Sequence, residues 1–160
     1  MSRRVSFGIV LATAFYATPA LAGWNGAEWG MTPPEVEQAT LGFARATRDD
    51  LPREGRDPVT GARASFENEL SDFEVRYRFD HGGLMRIELK PELDDCSRVA
   101  EDFQASFGVP QYHEQAILRT FVWEDEENDN RIVLLHSVAE VCTFTFGSLS
   151  KFRERQAAKT

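Results

Sequence analysis

The residues best able to do chemistry stand in one run, Glu124-Asp125-Glu126-Glu127-Asn128-Asp129-Asn130. Oxygen ligands at alternate positions, here Asp125, Glu127 and Asp129, are what a calcium loop requires. An EF-hand loop begun at Asp125 would need Gly where Asn130 stands and a bidentate Glu where His136 stands, so that motif fails. The run reads instead as a polar hairpin turn. His81, His113 and His136 share no helix and no metal-ligand spacing. Asp94 and Asp95 could be drawn as an acid and a base. Adjacent acids at a helix start are better explained by capping and by the helix dipole. The chain has no Gly-x-Ser-x-Gly, phosphate loop or dinucleotide fingerprint. We therefore expect no catalytic, cofactor-binding or metal-binding residues, and no cofactor.

The two cysteines, Cys96 and Cys142, bear on location. Residues 1–22 read as a secretory signal peptide: Arg3 and Arg4, an apolar run from Val5 to Ala17, then Ala20-Leu21-Ala22 as a small-x-small cleavage site before Gly23. The apolar run is shorter than the ~20 residues that span a bilayer. Residue 23 is Gly, so it offers no lipid-accepting Cys. The expected location is periplasmic or secreted, with no stable membrane insertion after cleavage. Two cysteines in an exported chain predict one Cys96–Cys142 disulfide.

The elements that must position these residues follow from periodicity. Thr32-Pro33-Pro34-Glu35 predicts a capped helix start, with Met31 and Val36 as a hydrophobic staple. The segment 44–60 holds Arg45, Arg48, Arg53 and Arg56 among four acids and two prolines, without periodicity, and reads as a long exposed loop. Residues 63–69 are a weak strand candidate around Phe66. Phe73, Val75, Tyr77 and Phe79 alternate with charged residues, as do Met85, Ile87 and Leu89, which predicts a hairpin. Its register should set Arg76 opposite Glu88 and Glu74 opposite Lys90, because opposite charges pair favourably across strands. That register pairs Phe79 with Met85 and leaves a five-residue loop, Asp80 to Leu84. A second helix carries Cys96, Val99, Ala100, Phe103 and Phe107 on one face and stops at Gly108 and Pro110. Strands near 117–124, 131–137 and 141–147 follow. The expected fold is α+β: two helix-then-antiparallel-strands units forming one helix-on-sheet layer. Residues 23–149 would be a single domain and 150–160 a basic, frayed C-terminal tail.

Trp29-Gly30-Met31-Thr32-x-x-Glu35-Val36 resembles the "GMTxxEV" opening of small bacterial envelope proteins. These include the small lipoprotein of the outer-membrane assembly machine and proteins of the β-lactamase-inhibitor-protein-like fold. Phe107-Gly108-Val109-Pro110 resembles the "G-x-P" end of their second helix. The resemblance implies a non-enzymatic interaction module of the envelope. The chain departs from the lipoproteins in lacking the lipid-accepting Cys.

Charge narrows the partner. The chain carries −8 and becomes more acidic by two charges once Arg3 and Arg4 leave with the leader. Nucleic-acid binding needs a basic footprint and is excluded as a partner class. The expected function is non-enzymatic protein–protein interaction, an envelope assembly factor or an inhibitor-like binder, with an envelope protein as partner. The candidate contact residues are Trp24, Trp29, Arg45, Arg48, Arg53 and Arg56. The rival reading is a periplasmic enzyme or small-ligand-binding protein that uses the sheet face or the 44–60 loop.

Overall fold

The computed structural model describes residues 23–47, 59–137 and 140–159. The expected leader, Arg48, Arg53 and Arg56 lie outside the described residues. Strands β1 (Gly23–Trp24) and β2 (Ala27–Glu28) form a small hairpin. Its Asn25-Gly26 turn has φ of 51° and 84°, the two left-handed residues that a type I′ turn demands. Helix α1 (Pro33–Ala39) follows, then β3 (Arg45–Ala46), β4 (Val59–Glu67), β5 (Asp72–Asp80) and β6 (Gly83–Pro91). A 3-10 turn at Leu93–Asp95 leads into α2 (Cys96–Phe107). The chain continues through β7 (Gln111–Gln115), β8 (Leu118–Asp125), β9 (Asn130–Ser137), β10 (Val141–Ser148) and α3 (Leu149–Ala157).

The expected α+β architecture of two helix-then-strands units is corrected. The described chain is mostly β, with one eight-stranded antiparallel sheet ordered β3-β4-β5-β6-β10-β9-β8-β7, the β1–β2 hairpin apart from it, and three short helices. Pairing of β10 with β6 joins strands from both halves into one sheet, so neither half closes a sheet of its own. Two strands were invisible to periodicity for physical reasons. Every residue of β7 is exposed, so it has no apolar face, and β3 is two exposed residues long. Both ends of the expected 44–60 loop are ordered differently: Ala44 is buried, Arg45 and Ala46 pair with β4, and Val59 and Thr60 belong to β4.

The core lies on one face of the sheet. Val75, Tyr77, Ile87, Leu134 and Phe144 project into it and meet Val36 of α1 and Val99 of α2. Fully burying side chains of this size stabilises by roughly 1.5–3 kcal/mol each. Phe103 of α2 packs on Phe144 with ring centroids 4.3 Å apart, and Trp123 ties the helix end to β8 by donating to the Gly108 carbonyl at 2.9 Å. Gly61 sits at a bulge in β4, where a side chain would strike the Phe79 ring and Pro33.

The expected charge register of the β5–β6 hairpin is present: Glu74 faces Lys90, Arg76 faces Glu88 and Arg78 faces Arg86. The loop expectation is corrected. A bulge after Arg78 lets Phe79 pair with Leu84 and Asp80 with Gly83, which shrinks the turn to His81-Gly82. Met85 is the extra residue. His81 and Gly82 have φ of 49° and 83°, again the type I′ form, whose twist suits a hairpin better than a wide loop. At the first helix, Glu35 Oε2 accepts from the Thr32 amide (2.7 Å) and hydroxyl (2.8 Å), which holds its carboxyl below the usual range. Asp95 precedes α2 without a side-chain cap and instead takes Arg98 at 2.8 Å.

Candidate functional site

Strand pleating sends alternate side chains to opposite faces. The residues that alternate with the core on β3 to β6 are largely charged, and they share the other face. Arg45, Arg63 and Arg76 stand in one row, since Arg45 pairs with Arg63 and Arg63 with Arg76. In the next row Arg78 faces Arg86, and Gly147 of β10 then separates Arg86 from Arg131 of β9. Half-buried Val133 and Leu135 extend the face along β9. Among the described elements, α1 and α2 cover the core face, and only α3 crosses this one.

Like charges side by side are unfavourable. Two carboxylates relieve them. Glu74 accepts two hydrogen bonds from Arg76, at 2.8 and 3.1 Å, and lies 3.6 Å from Arg63. The Arg76 bonds hold the Glu74 carboxyl low, against an opposing upward push from burial. Glu88 lies 3.8 Å from both Arg78 and Arg86, and Arg78 also donates to Thr60 Oγ1 at 2.8 Å. Arginines still outnumber carboxylates on this part of the face. The result is a semi-rigid array of guanidinium forks on a chain whose overall charge is −8. Such forks match carboxylates in pairs of parallel hydrogen bonds.

The expected contact residues separate in the structure. Arg45 joins the arginine row at the sheet edge. Trp24 is half-buried in a cluster with Phe43, Phe66 and Phe146, at centroid distances of 5.9 to 6.4 Å. Trp29 packs on the core and donates to the Asp129 carbonyl at 3.3 Å. Both tryptophans therefore help hold the β1–β2 hairpin and its following turn onto the sheet. Arg63, Arg76, Arg78, Arg86 and Arg131 were missed as a group. Their signal was present in the strand period, because each alternates with a core residue.

The acidic run is spent on structure. Asp125 accepts from the Asn128 side chain at 2.8 Å within the turn. Asp129 accepts from the Ser148 hydroxyl (2.8 Å), the Ser150 amide (2.7 Å) and the Ser150 hydroxyl (3.0 Å) at the start of α3. Burial pushes the Asp129 carboxyl up, but these donors together hold it below its usual value. Arg153 reaches Glu124 at 2.7 Å and Glu126 at 2.5 Å. The expected frayed tail is thus a capped helix docked on the acidic turn. Among the described residues no group of three or more His, Cys, Asp or Glu could hold a metal ion. His81, His113 and His136 fall on a turn, on β7 and on β9.

A hollow of about 670 Å³ opens where β4 to β6 approach the turn before α2. Lys90 lines it together with Glu67, Asp72, Glu92 and Glu140. Cys142 also lines this hollow and is bonded to Cys96, so its thiol is not available there as a nucleophile. No helix among the described residues is long and apolar enough to cross a membrane. In comparisons with protein-family models, curated proteins and solved structures, none matches this chain.

Proposed function

We propose that this protein is an exported, non-enzymatic protein-binding module of a bacterial envelope, an assembly factor or an inhibitor-like binder, acting in the periplasm or outside the cell. The observation that carries the reading is the arginine face. One side of a large sheet presents Arg45, Arg63, Arg76, Arg78 and Arg86 in register, while the rest of the molecule is acidic. A surface of that kind suits an acidic protein partner, which electrostatics would steer to it. The leader-like residues 1–22 and the Cys96–Cys142 disulfide support an oxidising compartment. The GMTxxEV resemblance supports the same class. The test is affinity capture from native periplasm with wild-type protein and the Arg45→Glu/Arg63→Glu variant. One acidic protein recovered stoichiometrically by the wild type and lost with the variant supports the reading. Recovery unchanged by charge reversal contradicts it.

A further inference from the structure

A second feature of this face is a cleft beside the arginine rows. Gly147 lies between Arg86 and Arg131 in one cross-strand row, so the row has a gap where a side chain would otherwise project. Helix α3 roofs the gap: Phe152 stacks on Arg131, with the guanidinium carbon 4.0 Å from the ring centroid. Lys151 and Arg155 reach the rim from the same helix. The cleft measures about 140 Å³, and Val133, Met85 and Phe152 contribute apolar lining. No carboxylate lines it.

We propose that this cleft binds a carboxylate carried on a short apolar stem. Four cations converge there in an acidic chain. Among the ion pairs of the described residues, Arg86 meets Glu88 at 3.8 Å, whereas Arg131, Lys151 and Arg155 meet no carboxylate. The natural partner of Arg131 would be Glu124, directly across from it on β8, but the Glu124 carboxylate is drawn to Arg153. Buried charges in proteins are ordinarily paired, and Arg131 is half-buried: burial pushes its guanidinium pKa down, opposed only by the Glu124 charge beyond ion-pair distance. A ligand oxyanion would supply the missing pair. The apolar lining chooses the stem: an apolar cavity of about 150 Å³ accepts a group the size of benzene, so this cleft has room for one small hydrocarbon body. Phosphate and sulfate have no such body to place against Val133 and Met85.

The test is calorimetric titration of the wild-type protein with three probes: hexanoate, a hexaglutamate peptide with an amidated C terminus, and inorganic phosphate. Gly147→Val and Lys151→Gln are the variants. A Cβ at Gly147 meets nothing closer than the Met85 carbonyl oxygen at 3.9 Å, so the position accepts a side chain, and the methyls of valine occupy the gap. Lys151 is exposed, and its replacement leaves the fold intact should valine disturb it. Saturable binding of hexanoate or of the peptide, weakened at least tenfold in either variant and absent for neutral hexanamide, supports the proposal. Whichever of the two binds identifies the source as a free carboxylate or a protein-borne one. Absence of saturable binding by both, phosphate binding at least as tightly, or indifference to both variants overturns it.

Discussion

Cys96 in the first turn of α2 and Cys142 on β10 are joined by a disulfide, with Cα atoms 5.9 Å apart and both residues almost fully buried. The bond fixes the helix to a central strand of the sheet and closes a loop of 46 residue steps. Loop-closure entropy puts its contribution at roughly 4 kcal/mol as an upper figure. Cys96→Ser and Cys142→Ser should each lower the urea midpoint by similar amounts, and the double variant should be little worse than either single one, because one bond is lost in every case. A double variant with the wild-type midpoint would show that the bond contributes nothing to stability.

Docking of α3 should depend on acid. The folded Asp129 carboxyl titrates below its unfolded value, so its stabilising effect is complete above the ordinary aspartate pKa of about 3.9 and fades as pH falls through the lower folded value. Asp129 has φ of 49°, a conformation that Asn tolerates well, so Asp129→Asn removes the charge without adding backbone strain. The variant should lose about 1 kcal/mol at neutral pH, in line with other helix caps, and the difference from the wild type should shrink as the pH is lowered below the ordinary aspartate range. Hydrogen exchange at the Leu149 and Ser150 amides, which donate to Asp129, reads the effect locally. Equal exchange of the two proteins at pH 7 would refute it.

The two-residue β5–β6 turn makes a sign prediction. Both of its central residues are left-handed, and Asn favours that conformation more than His does. His81→Asn should raise the unfolding free energy, read from urea titration, by a few tenths of a kcal/mol. A five-residue loop would leave stability unchanged.

Tyr77 offers a stabilising change inside the core. Its ring is fully buried, its hydroxyl meets no hydrogen-bond partner among the described residues, and burial pushes the phenol pKa up. An unpaired buried hydroxyl costs free energy that phenylalanine avoids. Tyr77→Phe should therefore be neutral or stabilise by up to about 1 kcal/mol. A clear loss of stability would mean that the hydroxyl is bonded in solution, for instance to a buried water.

What could be read beforehand was whatever periodicity and charge control. The alternation of Phe73 to Phe79 and of Met85 to Leu89 marked two strands, and two opposite-charge pairs, Glu74–Lys90 and Arg76–Glu88, set a register that also places Arg78 opposite Arg86, three pairs in all. The bulge at Met85 escaped because an extra residue near the turn leaves those three pairs unchanged. Strand β7 escaped because it buries nothing, and α3 because its apolar contacts, Leu149 and Phe152, are few amid charges. The arginine face was half legible. Arg63, Arg76, Arg78 and Arg86 lie on predicted strands or at their ends, opposite the core residues. The role of the acidic run was not legible, since only the folded chain brings α3 back onto it.

Site-specific photo-crosslinking asks whether the arginine face of the sheet meets the partner. A photoreactive residue at Thr143, on the arginine face, and another at Glu101, on the exposed side of α2, sample opposite sides of the molecule. In native periplasm the Thr143 probe should capture one acidic protein, and added salt should suppress that capture because exposed charges are screened. Capture of the same protein from Glu101 and not from Thr143, or from neither position, would show that this face is not the partner surface.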